Sequence, residues 1–176
     1  MRRGLVIVFT GEGKGKTSAA MGIVMRASGH KQYVSVLQFI KTPQAAGEAR
    51  AAERLAPEVE FLSMGKGFVN APGGAVPFEE HKKAAEAALL LARQQAASGS
   101  WDVMVLDEIN NAVNIGLLGI GDVLDLVRSK PPKLHLILTG RDAHPDLVAA
   151  ADLVTEMRPV KHPYDRGIPA QKGIDF

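Results

Sequence analysis

A three-layer α/β fold, a mostly parallel sheet with helices on both faces, is predicted for this 176-residue chain by three observations. Short apolar runs rich in Val, Ile and Leu alternate with longer stretches of helical period, the pattern of strand and crossover helix. A glycine- and lysine-rich segment joins the first run to the first helix. Polar and charged residues gather where the runs end, the edge at which open α/β sheets bind ligands.

Leu5 to Phe9 reads as the first strand, and Thr10-Gly11-Glu12-Gly13-Lys14-Gly15-Lys16-Thr17 follows it directly. A stripe of Ala19, Ala20, Ile23, Val24 and Ala27 then marks a helix that begins near Ser18 and stops at Gly29. Glycines let successive backbone N–H groups turn inward, and the helix N-terminus behind them adds partial positive charge, so the segment cradles an anion. The expected anion is a nucleotide's phosphate chain. Lys16 supplies a point charge to it, and the Thr17 hydroxyl can ligand a magnesium ion bridging the phosphates. Thr10 stands where the Gly-x-x-x-x-Gly-Lys-[Ser/Thr] pattern has its first glycine; the flanking strand and helix distinguish the segment from a solvated turn. From pattern alone, Arg26 reads as a solvated charge favourable to the helix dipole.

Val34 to Ile40 is a dense, β-branched run suited to a buried parallel strand, with Gln38 and Lys41 at its end. Ala45 to Ala56 is helical in composition and is stopped by Pro57; Val59 to Leu62 is a short strand. Met64 to Pro77 is too long and glycine-rich for a simple connection. It reads either as a substrate lid with Phe68 at its centre or as a loop that Phe68 anchors to the body. Glu79 to Ala97 is the longest helix, opened by Pro77 and ended by Ser98-Gly99-Ser100.

Val103 to Leu106 is a wholly apolar strand ending in Asp107-Glu108. Carboxylates there, beside the phosphate loop, can hold magnesium directly or through water and orient a reacting group. Asn110 to Leu118 reads as a short helix or turn, and Asp122 to Arg128 as a helix capped by Asp122. Leu134 to Leu138 is a further strand, delivering Thr139-Gly140-Arg141 to the same edge, where a guanidinium can meet a phosphate or stabilise a leaving group. Pro145 to Ala151 is helical, and Leu153 to Met157 forms the last strand.

Composition narrows the function. A formal net charge of +2 does not argue for a nucleic-acid surface, and no apolar run approaches membrane-spanning length. The absence of cysteine excludes disulfides, thiolate metal sites and a cysteine nucleophile, and suits a cytoplasmic location. The five histidines show no metal-ligand spacing. The expected organisation is a single domain over residues 1–176, in which 159–176 form a tail outside the α/β alternation.

That tail, with Pro159-Val160-Lys161-His162-Pro163 and Gln171-Lys172-Gly173-Ile174-Asp175-Phe176, joins the early loop, Val36-Leu37-Gln38-Phe39-Ile40-Lys41, Val105-Leu106-Asp107-Glu108-Ile109 and Thr139-Gly140-Arg141 in a pattern that closely resembles the corrinoid adenosyltransferases of the CobA/BtuR type. The resemblance spans about Gly4 to Phe176. It implies a RecA-like P-loop fold, usually homodimeric, that transfers the 5′-deoxyadenosyl group of ATP to the cobalt(I) of a corrinoid and leaves triphosphate, in adenosylcobalamin synthesis or salvage. Mg²⁺ or Mn²⁺ is implied beside the ATP, and a flavoprotein as reductant.

By the same resemblance Thr10, Gly11, Glu12, Gly13, Lys14, Gly15, Lys16, Thr17, Ser18, Arg26 and Gln38 form the nucleotide site. Thr17, Asp107 and Glu108 hold the metal, while Lys16 and Arg141 serve catalysis. Phe68 meets the corrinoid within Gly67-Phe68-Val69-Asn70, where relatives carry a Gly-Phe-Thr-Trp-like motif. The nucleotide is implied to lie in the reverse sense, so that C5′ faces the acceptor. Cobalt(I) is itself a strong nucleophile, so the lack of a Ser/His/Asp or Cys/His constellation is expected. A conventional P-loop phosphotransferase or ATPase and a non-catalytic corrinoid carrier are the rival readings.

Overall fold

A computed structural model describes residues 3–42, 47–69 and 76–175. Ala45, Asn70, Phe176 and the middle of the long loop lie outside the described residues, so the expectations placed on them stay with the sequence.

Six strands form one sheet: β1 (Val6–Thr10), β2 (Val34–Gln38), β3 (Val59–Ser63), β4 (Val103–Asp107), β5 (His135–Thr139) and β6 (Leu153–Glu156). Their spatial order is β3-β2-β4-β5-β1-β6, and every described pairing is parallel. The helices are α1 (Lys16–Gly29), α2 (Gly47–Ala52), α3 (Phe78–Ser98), α4 (Ile109–Asn114), α5 (Ile120–Ser129) and α6 (Pro145–Ala150). The predicted alternation is thus realised as three layers.

Side chains alternate across each strand, and both faces of the sheet are apolar, as a parallel sheet covered on both sides requires. Val8, Leu37, Met104, Leu106, Leu136 and Leu138 pack with Ala85, Ala88 and Ala92 of α3, Val123 of α5 and Leu147 of α6. Their neighbours Phe9, Val36, Val105 and Ile137 pack on the opposite face with Ala20, Val24 and Ala27 of α1 and Ala52 of α2. Small alanines on α1 and α3 bring these helices close to the sheet. The consequence is a rigid platform whose strand ends, at Thr10, Gln38, Ser63, Asp107 and Thr139, lie along one edge.

Several local expectations are corrected. Asp122 does not cap α5: Gly119 holds the extended cap backbone (φ −75°, ψ 137°), and Asp122 lies in the first turn, where its carboxylate favours the helix dipole. The strand expected to reach Ile40 ends at Gln38, and the chain bends at Phe39 and Ile40. The helix expected to end at Ala56 closes through a 3₁₀ turn at Glu53–Leu55. Within the tail, Pro163–Arg166 adds a 3₁₀ turn that the sequence reading did not include. All four residues of β6 are exposed, making it a thin edge rather than a core strand.

Candidate active site

A cleft of about 940 Å³ opens over the C-terminal edge of the sheet, at the upper end of the range for small-molecule sites, roughly 300–1,000 Å³. Its floor is the glycine-rich loop. Gly15 caps α1 in the left-handed region (φ 110°), and no acidic side chain occupies the first turn, so the leading N–H groups are left for an anion.

The loop is clamped from behind by the strand β6 and the segment after it. Gly13 N–H donates to the Met157 carbonyl at 2.7 Å, and Met157 N–H to that of Thr10 at 2.8 Å. This close approach explains Gly11, which has φ +93° and where a Cβ would stand 2.4 Å from the Met157 oxygen. Thr10, at the place of the pattern's first glycine, uses its hydroxyl to accept from the Ala143 N–H at 3.0 Å. Lys16 Nζ donates to the Gly11 and Gly13 carbonyls, each at 2.6 Å. Burial, then the nearby Arg141 guanidinium, lowers the Lys16 pKa below its ordinary value, with Glu12, Glu108 and Asp142 acting in the opposite direction.

Beside the loop, Asp107 is wholly buried and accepts three hydrogen bonds. Thr17 Oγ1 donates to its Oδ1 at 2.8 Å, Thr139 Oγ1 to the same oxygen at 2.7 Å, and Gln38 Nε2 to Oδ2 at 2.9 Å. The Ser63 hydroxyl donates to Gln38 Oε1 at 2.8 Å, completing a chain from β3 through β2 and β4 to α1. The parallel register aligns these groups, since Gln38 pairs with both Asp107 and Ser63.

Glu108, the next residue, takes a left-handed backbone (φ 63°) at the start of α4. For a non-glycine residue this is an uncommon conformation, concentrated at functional positions. Its N–H donates to Thr139 Oγ1 at 2.9 Å, and its Oε2 is buried without a hydrogen-bond partner among the described residues. Burial, then the Asp107 carboxylate, pushes its pKa up to about 7, against the pull of Lys41, Lys16 and Arg141.

The next wall comes from Arg141 and α4. Gly140 (φ +134°) lies so near α4 that a Cβ would stand 2.8 Å from Asn110 Cβ. Arg141 Nε faces Glu12 Oε2 at 3.4 Å, and its backbone is held by Asn111 and Asn114. The tail closes this end of the cleft: Gly173, Ile174 and Asp175 line it, and Asp175 pairs with Lys14. Across the cleft stand Ile40, Lys41 and Phe68. Phe68 is 72% exposed, so it is not a packed anchor of its loop. Among the described charged side chains, Lys14, Lys16, Lys41 and Arg141 stand with Glu12, Glu48, Glu108, Asp142 and Asp175 along the cleft.

Of the residues singled out from sequence, the structure thus gathers Glu12, Gly13, Lys14, Gly15, Lys16, Thr17, Ser18, Glu108, Arg141 and Phe68 around the cleft. Thr10 and Gly11 support the loop from behind. Gln38 is fully buried and touches Asp107, so in this structure it orients that carboxylate rather than lining the cleft. Arg26 is exposed on α1, ten residues from Lys16 and hence roughly 15 Å along the helix, and does not reach the cleft. Thr139, Asn111, Asn114 and Met157 support Asp107, Arg141 and the loop through contacts between distant parts of the chain, for which a single sequence carries no signal.

Thr17 and Glu108 present hard oxygen donors, one of them an orphaned buried acceptor, and these fit a divalent cation such as Mg²⁺ or Mn²⁺. No group of three His, Cys, Asp or Glu among the described residues could hold a metal by itself, so phosphate oxygens would complete the coordination.

Comparison with known proteins gives the same picture at the level of the whole chain. Residues 2–176 match the model of a family described as ATP:corrinoid adenosyltransferase BtuR/CobO/CobP. A corrinoid adenosyltransferase of Pseudomonas aeruginosa is 41% identical over 174 residues, 99% of this chain and 84% of that protein. The corrinoid adenosyltransferase CobA of Salmonella typhimurium is 39% identical over 179 residues, 99% of this chain and 86% of that protein. The flagellar accessory protein FlaH of Methanocaldococcus jannaschii superposes with a TM-score of 0.53 at 11% identity, covering 89% of this chain and 72% of that one, a likeness of fold alone.

Proposed function

The chain belongs to the ATP:corrinoid adenosyltransferase family BtuR/CobO/CobP, and from that premise we propose how the cleft carries out adenosyl transfer. The protein is an enzyme that moves the 5′-deoxyadenosyl group of ATP to the cobalt(I) of a corrinoid, within adenosylcobalamin synthesis or salvage. Cobalt donates an electron pair that becomes the cobalt–carbon bond to C5′, the C5′–O bond breaks, and triphosphate departs with the pair of that broken bond. Cobalt passes formally from +1 to +3, and no proton need be removed.

The protein's work is therefore alignment and stabilisation of the leaving charge. The loop N–H groups and the start of α1 receive the triphosphate. Lys16 exchanges its two carbonyl partners for phosphate oxygens as the nucleotide enters, and Arg141 is released from Glu12 to add a second cation. Thr17 and Glu108 would hold a divalent cation, with Asp107 fixing Thr17 from beneath, and the group would supply partial neutralisation of the triphosphate charge. Phe68 forms an apolar wall against the corrinoid, displacing water and an axial ligand so that cobalt(I) is reached more easily. The nucleotide lies with C5′ toward that wall.

The observation that carries the reading is the combination of an anion cradle on one side of the cleft with an exposed aromatic on the other. A flavoprotein reductant and a homodimer belong to the same proposal. The exposed apolar Leu153 and Val154 on the edge strand β6 support a second copy as partner. Among the described residues no helix is long and apolar enough to cross a membrane.

Supplying ATP and a chemically reduced corrinoid tests the proposal. Triphosphate and a light-sensitive organometallic absorbance are the expected products. ADP with phosphate would establish a conventional ATPase instead.

A further inference from the structure

We infer that Ser63 is a positioning residue for the transfer: through Gln38 it keeps the acceptor wall that carries Phe68 in register with the carboxylate that holds the phosphate loop. The inference rests on the adenosyl-transfer reading above. Gln38 is fully buried and Ser63 lies outside the cleft lining, so both act on the reaction through the parts they hold.

The stem of the Phe68 loop is laid directly on the end of β2. Met64 N–H donates to the Gln38 carbonyl at 3.0 Å, and Gly67 N–H to that of Ile40 at 2.9 Å. Between them Gly65 packs so closely that a Cβ would stand 2.1 Å from the Ile40 carbonyl oxygen. Ile40 and Lys41 on one segment, with Phe68 and Val69 on the other, then line the cleft together. From the opposite side, the Phe39 N–H donates to the Asp107 carbonyl at 3.0 Å. The end of β2 is thus held between the acceptor wall and Asp107.

The Gln38 side chain is the joint between these halves, and its amide has one usable orientation. A carboxylate only accepts, so Nε2 must face Asp107 Oδ2, as it does at 2.9 Å. Oε1 is thereby turned toward β3 in a fully buried place, where an acceptor without a donor is costly. Ser63 supplies that donor at 2.8 Å, from the last position of β3, immediately before the loop stem. β3 is the edge of the sheet and pairs with β2 alone, so no second strand fixes where its end lies. Without the hydroxyl, Gln38 is free to turn from Asp107, and the stem loses its register with α1, which Asp107 reaches through Thr17. C5′ must meet cobalt across the span from Thr17 to Phe68, and a misplacement of about 1 Å in such a span costs up to about a hundredfold in rate.

The test uses full-length variants with ATP and chemically reduced cobalamin. Ser63→Ala should lower kcat/KM for cobalamin about tenfold, while the ATP dissociation constant, measured by calorimetry without corrinoid, stays within about twofold. Ser63→Thr, which keeps the hydroxyl, should return to within about twofold of the wild type. In a Phe68→Ala background, Ser63→Ala should cost about twofold or less, because the wall it holds in register is gone. A role confined to the fold would leave the two kinetic losses additive, and additive losses would overturn the inference. Wild-type kinetics in Ser63→Ala, or a loss falling on ATP binding instead, would do the same. Should Ser63→Ala fail to fold, Ser63→Cys, which keeps the volume with a weak donor, carries the same expectations. If the wild-type protein forms no cobalt–carbon product, it is the transferase reading that fails; if it does and the Ser63 variants match it, this inference alone fails.

Discussion

The Thr17 hydroxyl donates to the Asp107 carboxylate at 2.8 Å, tying the first turn of α1 to the end of β4. The phosphate loop is thereby registered against the sheet before any nucleotide arrives. Because Thr139 and Gln38 donate to the same carboxylate, the joint is braced from β5 and β2 as well.

Asp107→Ala should therefore cost stability as well as activity. It removes the shared acceptor of three donors in a wholly buried place, with an expected loss of about 2–4 kcal/mol. Urea denaturation measures this directly, and a loss below about 0.5 kcal/mol would mean that the brace is unimportant.

Lys16→Ala should separate function from fold. Its ammonium touches only loop carbonyls, so the melting temperature should move little while kcat falls by about 10²–10³. Normal turnover by this variant would remove Lys16 from stabilisation of the leaving group.

Glu108 should leave a mark on the pH dependence of the nucleotide-free, chelator-treated protein. Below pH 4.5 its carboxyl is protonated in both folded and unfolded chains. Between 4.5 and about 7 the unfolded chain ionises while the folded one keeps its proton, so rising pH favours unfolding. Above about 7 the penalty is constant, at about 3 kcal/mol. Glu108→Gln should lack this component. The wild-type minus variant stability difference, followed by denaturant titration from pH 4 to 8, should fall across that window, and a flat difference would contradict the assignment.

Phe68→Ala should leave stability within about 0.5 kcal/mol, since the ring is largely exposed in the free protein. Its effect should appear as a rise in KM for the corrinoid of about tenfold, the scale of one buried aromatic contact. An unchanged corrinoid KM would show that this wall does not touch the acceptor.

The layers were legible in the sequence because burial imposes a pattern on both sheet faces. Val6 and Val8 alternate with Ile7 and Phe9, and Leu136 and Leu138 with Ile137, with no polar break. The phosphate loop was legible for a different reason: its glycines serve the local backbone. What a single sequence could not convey was direction. Gln38 and Asp107 both end strands, yet only the register between those strands shows that they face each other instead of the cleft. The cap of α5 was misread because Gly119 supplies it through backbone conformation alone, without a side-chain signal. Asn111 and Asn114 gained meaning only from the backbone of Arg141, some 30 residues away in the chain.

Met157 grips Gly13, and Asp175 reaches Lys14, so the loop after the first strand leans on residues made only after the last one. A growing polypeptide emerging from the ribosome would carry its strands and most of its helices well before it possessed a finished grip on nucleotide. Competence to bind ATP should accordingly appear only once Met157 has emerged and paired with the loop. Ribosome-stalled chains ending just before Met157 would be folded in large part but unable to hold the cosubstrate.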